Sequence, residues 1–271
     1  MEKTVSLQQA RALKLIDRFN PKCVEENWAF PLISKNDFLS SLKQLVRNPA
    51  GITQGIHPLC GIACAVKVAA ELDPVNLVKM GAYFFANGKY VSRSFLDKSI
   101  KVPGRLKKME PTDGLSAAGF VLQTTIKSFY NPLTGYNNKP GSKYNEWQGI
   151  TYPYQLRKFL KRYFQIEEVP VRTYRHTIEE LQGLLRKQVS LLAWTSWNQM
   201  KNSGGKFKLL EQHYVLIKSI KRNGEKVEVV IDNPRKKNDH YQRFIFNNEK
   251  DFYKAIIGVY GFRRKVKATN D

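Results

Sequence analysis

Cys60 stands in Gly51-Ile52-Thr53-Gln54-Gly55-Ile56-His57-Pro58-Leu59-Cys60-Gly61-Ile62-Ala63, where a loop of Gly and Pro gives way to an apolar, Ala-rich run. A thiol at the first turn of a helix sits at the positive end of the helix dipole, among N–H groups with no intrahelical acceptor. Both features lower its pKa. Neither Pro58 nor Leu59 can cap that turn, so its donors can serve a thiolate and an oxyanion developing on a bound carbonyl. Gln54, six positions earlier, carries an amide able to give that oxyanion a second hydrogen bond. A cysteine in an apolar helix is often no more than a small packing residue. Chemistry at Cys60 therefore requires a base.

The base is expected in the C-terminal part. Asn223-Gly224 is a two-residue hairpin signal between the runs 213–222 and 225–232. With Asn223 and Gly224 as the loop, Arg222 faces Glu225, Val215 faces Asp232 and His213 faces Pro234. Alternation then puts His213 and Asp232 on one face as diagonal neighbours, roughly 7 Å apart, within reach of a carboxylate–imidazole hydrogen bond. Asn233 faces Tyr214 on the other side. This selects Cys60 as nucleophile, His213 as base and Asp232 as the group that orients the base. The register depends on the number of residues between the strands.

The remaining candidates are weaker. His57 is too close in sequence to Cys60 for a good approach to sulfur, though it can line a cleft; His176 and His240 read as surface residues. Cys64 falls one turn after Cys60 and reads as packing; Trp194 and Trp197 read as closing the core near the sheet. His57, Cys60 and Cys64 lack a nearby fourth ligand for zinc. No metal and no cofactor are expected.

These residues need elements to hold them. Apolar spacing predicts helices over 6–17, 37–46, 60–72, 75–86 and 115–129, then a turn-rich loop over 131–142. Further helices are expected from Pro153 to Tyr163 and, from the Thr177/Glu180 capping pattern, to about Lys187. Strands are expected over 189–194, 213–221, 226–232, 242–246 and 256–262. Helices first and strands later is an α+β arrangement. Residues 1–50 read as a helical extension packed on a single catalytic unit, 51–271.

Composition narrows the partners. The chain has 271 residues, 45 Lys plus Arg against 23 Asp plus Glu, and a net charge of +22. Such a field favours acidic proteins, nucleic acid or anionic surfaces. The basic residues are dispersed and aromatics are not regularly interleaved with them, which argues against a single-strand nucleic-acid groove. Three cysteines (Cys23, Cys60, Cys64) make no disulfide framework and fit a reducing compartment. No signal peptide or membrane span is expected.

Gln54, five intervening residues and Cys60-Gly61 at a helix start, followed by the strand His213-Tyr214-Val215-Leu216-Ile217 and then Val229-Val230-Ile231-Asp232-Asn233-Pro234, resemble the papain-like cysteine peptidase superfamily. An aspartate followed closely by proline is similar to the peptidase domains of bacteriocin-exporting transporters, whereas papain uses Asn. The Gln54–Ala63 cluster is similar to papain-like toxin domains that bacteria deliver into rivals. The likeness spans about residues 50–235. It departs where Asn233 separates Asp232 from Pro234, and in the absence of papain's tryptophan after Cys64.

The resemblance implies a papain-like fold with the thiol helix packed on an antiparallel sheet. It also implies Gln54, Cys60, His213 and Asp232 as functional residues, with a cognate immunity protein as partner. The expected location is cytoplasmic, or a target-cell cytoplasm reached through a dedicated secretion system. The expected substrate is a protein or peptide, acidic or DNA-associated given the charge. Two alternatives stay open: the same triad used for deamidation, transglutamination or cell-wall amidase action, and a non-enzymatic basic module binding nucleic acid or protein.

Overall fold

The computed structural model describes residues 6–19, 28–55, 57–92, 99–112, 114–131, 151–174, 176–202, 212–235 and 241–266. It is a mixed α+β protein with an antiparallel sheet, and it divides into two units, residues 1–165 and 166–271. The division falls between Gln165 and Ile166. Residues 1–50 fall within the first, helical unit, beside the segment that leads to Cys60.

The first unit contains helices α1 (Leu7–Asp17), α2 (Lys35–Arg47), α3 (Cys60–Leu72), α4 (Pro74–Asn87), α5 (Ala117–Tyr130) and α6 (Pro153–Tyr163). Their starts follow local chemistry. Ser34 and Ser116 accept hydrogen bonds from the N–H groups of Asp37 and Gly119, and Asp73 caps α4 from the residue before Pro74. Helix α4 stops at Gly88 (φ +64°), a left-handed conformation where a β-carbon would also lie 3.1 Å from that of Ala29. Beyond it, β1 (Lys89–Tyr90) pairs with β2 (Ile100–Lys101). Helix α3 is buried from Gly61 to Ala70 and packs on α2, α4, α5 and α6. An apolar circumference is what a helix enclosed by others needs.

The second unit is built on a six-stranded antiparallel sheet. Its strands are β3 (Ile166–Val169), β4 (Ser190–Ser196), β5 (Gln212–Asn223), β6 (Lys226–Asp232), β7 (Tyr241–Phe246) and β8 (Ile256–Arg264), in the order β3-β8-β4-β5-β6-β7. Helices α7 (Ile178–Arg186), α8 (Trp197–Lys201) and α9 (Glu249–Ala255) complete it. The capping box of Thr177 and Glu180 forms as its spacing predicts. The core joins Ile178 and Leu181 of α7, Met200 of α8 and Phe252 of α9 to Val215, Ile217, Ile220, Val227, Val229 and Ile231 of the sheet. Each fully buried aliphatic or aromatic side chain of this kind contributes roughly 1.5–3 kcal/mol of transfer free energy.

The β5–β6 hairpin differs from the predicted one at two points. Asn223 pairs with Lys226, so the two-residue loop is Gly224-Glu225, with Gly224 at φ +62°. A loop with glycine first needs a positive φ at that position alone, which spares Asn223 the left-handed conformation. Further along, the register shifts between Ile217 and Ser219, and Leu216 then pairs with Asp232. The extra residue, Lys218, reverses which side chains share a face.

Candidate functional site

In the helical unit, Cys60 is the first residue of α3 and is partly exposed, while Cys64, one turn on, is fully buried packing. No side chain caps the helix start, as Pro58 and Leu59 predict. The approach segment is pinned from two sides. Gln54 Nε2 donates to the carbonyl of His57 at 2.6 Å, and Gln123 Nε2, from α5, donates to the carbonyl of Thr53 at 2.8 Å. Gln54 is thus buried and committed through one amide N–H to shaping the loop, a role its position as an oxyanion donor did not require. An amide has two N–H donors, so one remains for a ligand. His57 is buried in the same segment.

Sequence reasoning misses Lys127. It lies on α5, one turn after Gln123, almost wholly buried in a helix otherwise rich in apolar residues. Its Nζ donates to Thr151 Oγ1 at 3.2 Å. Burial pushes its pKa down to about 7, and the charge of Cys60 acts in the opposite sense. The signal is present in the sequence as a lone lysine inside an apolar helical run.

In the sheet unit, His213 is buried on β5 opposite Thr195, whose hydroxyl donates to its carbonyl at 2.9 Å. Its Nε2 lies 2.8 Å from Oδ1 of Asn233. Asn233 is itself fixed: its Nδ2 donates to Gln242 Oε1 of β7 at 2.7 Å, and its Oδ1 also accepts from the N–H of Arg235 at 3.0 Å. An amide oxygen only accepts, so Nε2 donates this bond, and Nδ1 is the nitrogen left to take or give up a proton. Trp197 packs its ring against the imidazole, 4.9 Å between centroids, and Trp194 stacks on Tyr214.

The expected pairing of His213 with Asp232 is therefore corrected. Asp232 lies opposite Leu216, out of step with the core-facing series Val227, Val229 and Ile231, whose alternation Asn233 continues. The bulge at Lys218 is the reason: without it, Asp232 would share the face of His213. His176 is corrected as well. It is buried between Phe252 and Tyr253, with Nδ1 on the Thr173 carbonyl at 3.1 Å. Cys23, His240 and all of the predicted turn-rich loop after Asn131 lie outside the described residues.

The structure thus groups Cys60, Gln54 and Lys127 within the helical unit and His213, Asn233, Gln242 and Trp197 within the sheet unit. Among the described residues no cluster of three or more His, Cys, Asp or Glu is arranged to hold a metal ion, and no helix is long and apolar enough to cross a membrane. No family model matches the chain, and no curated protein or solved structure does.

Proposed function

We propose that this protein is a cysteine hydrolase of papain-like type, acting on a protein or peptide, with Cys60 as nucleophile, His213 as base and Asn233 as the group that orients the base. The observation that carries this reading is the chain Gln242–Asn233–His213. A histidine held by an amide through Nε2, with an aromatic ring against it, is a base whose tautomer has been chosen in advance. A histidine serving only the packing of a strand needs no such relay. The partly exposed thiol at an uncapped helix start supplies the matching nucleophile.

In the proposed reaction, the Sγ proton passes to His213 Nδ1 and the thiolate attacks the carbonyl carbon. A C–S bond forms while the carbonyl oxygen takes negative charge. First-turn N–H groups of α3 and the Gln54 amide are the donors available for that oxyanion. On collapse, the imidazolium returns the proton to the leaving amine as the C–N bond breaks. Water, deprotonated by His213, then attacks the thioester, releases the acid and restores the thiol. Asn233 holds the imidazole plane and supports the imidazolium with a neutral dipole, where an aspartate would have supplied a charge. We further propose the role of a toxin effector domain with a cognate immunity protein, on the likeness of the Gln54–Ala63 cluster alone.

The test is a comparison of new protein termini. Wild type and Cys60→Ala are expressed separately in a bacterial cytoplasm, and chain termini are read by mass spectrometry. Termini that appear with wild type and vanish with Cys60→Ala are expected. Identical terminus sets together with unit mass shifts or cross-links would move the chemistry to deamidation or acyl transfer. Identical proteomes in every respect would remove the enzyme reading.

A further inference from the structure

We propose that Lys127 is a positioning residue for Cys60: its ammonium, anchored by Thr151, stabilises the Cys60 thiolate from inside the helical unit. This rests on the reading of Cys60 as a nucleophile and adds a second, independent source for its ionisation. Burying such a cation is costly. A lysine inside a helical core loses its hydration, and hydrogen bonds such as the one to Thr151 offset only part of that loss. Such a residue is sustained where a negative charge forms nearby.

The packing of α5 directs Lys127 toward the start of α3, where Cys60 can carry that charge. Helices α3 and α5 pack together. Gln123 and Lys127, four positions apart on one face of α5, act on the same stretch: the first grips the Thr53 carbonyl on the approach to Cys60, and the second feels the charge of Cys60 itself. Other titratable groups on the elements packed against α5 are placed differently. Lys67 of α3 is committed to the Ala50 carbonyl at 2.8 Å, and Cys64 of α3 is fully buried. Lys35, Asp37, Lys43 and Arg47 of α2, Glu71 of α3, Lys79 and Tyr83 of α4 and Lys101 of β2 are exposed or partly exposed.

The coupling is reciprocal. If the thiolate favours the ammonium, the ammonium favours the thiolate by the same free energy. Near neutrality the pair holds one proton in two forms, thiol with amine or thiolate with ammonium. Passing from the first to the second moves one proton from Sγ to Nζ and needs no other reactant. Ionisation of Cys60 is thereby partly uncoupled from His213, which is left to manage the leaving group and the water.

The experiment titrates the thiol without any substrate. Iodoacetamide labelling of Cys60 is followed by mass spectrometry, which separates it from Cys23 and Cys64, between about pH 4 and 10 for wild type, Lys127→Met, Lys127→Arg and His213→Ala. In wild type the reactive thiolate should appear at least about one unit below the ordinary thiol value of ~8.5. Lys127→Met should raise that midpoint by about a unit or more, slowing labelling roughly tenfold at neutral pH. Lys127→Arg, a permanent cation, should keep it low, and His213→Ala should leave most of the acidity in place. A Met profile superimposed on wild type, an Arg variant that behaves like Met, or loss of all the acidity in His213→Ala overturns the proposal.

If Lys127→Met does not fold, selectively 13C-labelled lysine in wild type and Cys60→Ala gives the reciprocal measurement. The Lys127 midpoint should fall when the thiol is removed, and an unchanged midpoint overturns the proposal. Failure of the hydrolase reading is separately visible: it appears as termini unaffected by Cys60→Ala, whatever the thiol's titration shows.

Discussion

The two units hold Cys60 and His213, the proposed nucleophile and base, by different physics. In the helical unit Cys60 lies at the end of a helix dipole and is coupled through charge to the buried Lys127, and both effects fall off gradually with distance. The sheet unit holds His213 with directional bonds, each of which is made or lost over a few tenths of an ångström. A field tolerates small displacements of its sources. A relay of amides does not, and it depends on strand register. Sequence reasoning accordingly has an easier task with the thiol than with the partner of the base.

That contrast can be broken experimentally, starting with the largest expected effect. Cys60→Ala should lower turnover of any peptide identified from the terminus comparison by at least about a thousandfold, as loss of a nucleophile does. Asn233→Ala removes a bond to a group that becomes charged, worth roughly 1.5–3 kcal/mol, and should cost about ten- to a hundredfold in kcat. Asp232→Asn should cost less than Asn233→Ala; the reverse order of kcat values would restore the aspartate to the orienting role and show the bulge register to be wrong. Gln242→Leu, one step further back, should cost about two- to tenfold.

The units should also differ in how stability follows pH. A lysine whose folded pKa is lowered from 10.5 to about 7 binds fewer protons in the folded state than in the unfolded state between those values. Helical-unit stability should therefore rise with pH across that window, by at most about 1.4 kcal/mol per pH unit. His176 has its pKa lowered by burial, so the unfolded state takes up a proton first as pH falls through about 6.5, and the sheet unit should weaken below that point. Hydrogen exchange resolved over α5 and over β5–β6 reads both windows. Coincident pH profiles in the two units, or loss of the lower window failing to follow His176→Phe, would show that the contrast does not extend to stability. The smallest effect is expected for Gly224→Ala, about 1–2 kcal/mol for a left-handed residue that gains a β-carbon.

Legibility follows the same division. Helix α3 runs from Cys60 to Leu72 as its apolar composition and Pro74 predict, and α4 to α6 depart from expectation by no more than one or two residues. Strands β4 to β8 are visible in the sequence as short runs rich in aliphatic and aromatic residues. Strands β1 and β2 are not, being two residues each, and neither are β3, with Glu167 and Glu168 at its centre, or the short helices α8 and α9. Such segments take their conformation from neighbours more than from their own propensities. The bulge leaves only a faint trace, since Ile217 and Ile220 stand three apart where strict alternation requires two or four. That spacing marks the point where the identity of the histidine's partner changes. Lys127 escapes pattern reading because an isolated cation in a helical run resembles a solvated residue until burial is known.

The strand order carries one last consequence. Strand β8 follows the other strands in sequence among the described residues, yet it lies between β3 and β4, pairing with both. The hairpin that bears His213 can pair with β4 without any help from β8. Without residues 256–264, however, the sheet would be split, with β3 unpartnered and one side of β4 left as an open edge. A cut or destabilising change within this one strand would therefore separate β3 from the β4–β7 ladder while leaving the register around His213 intact.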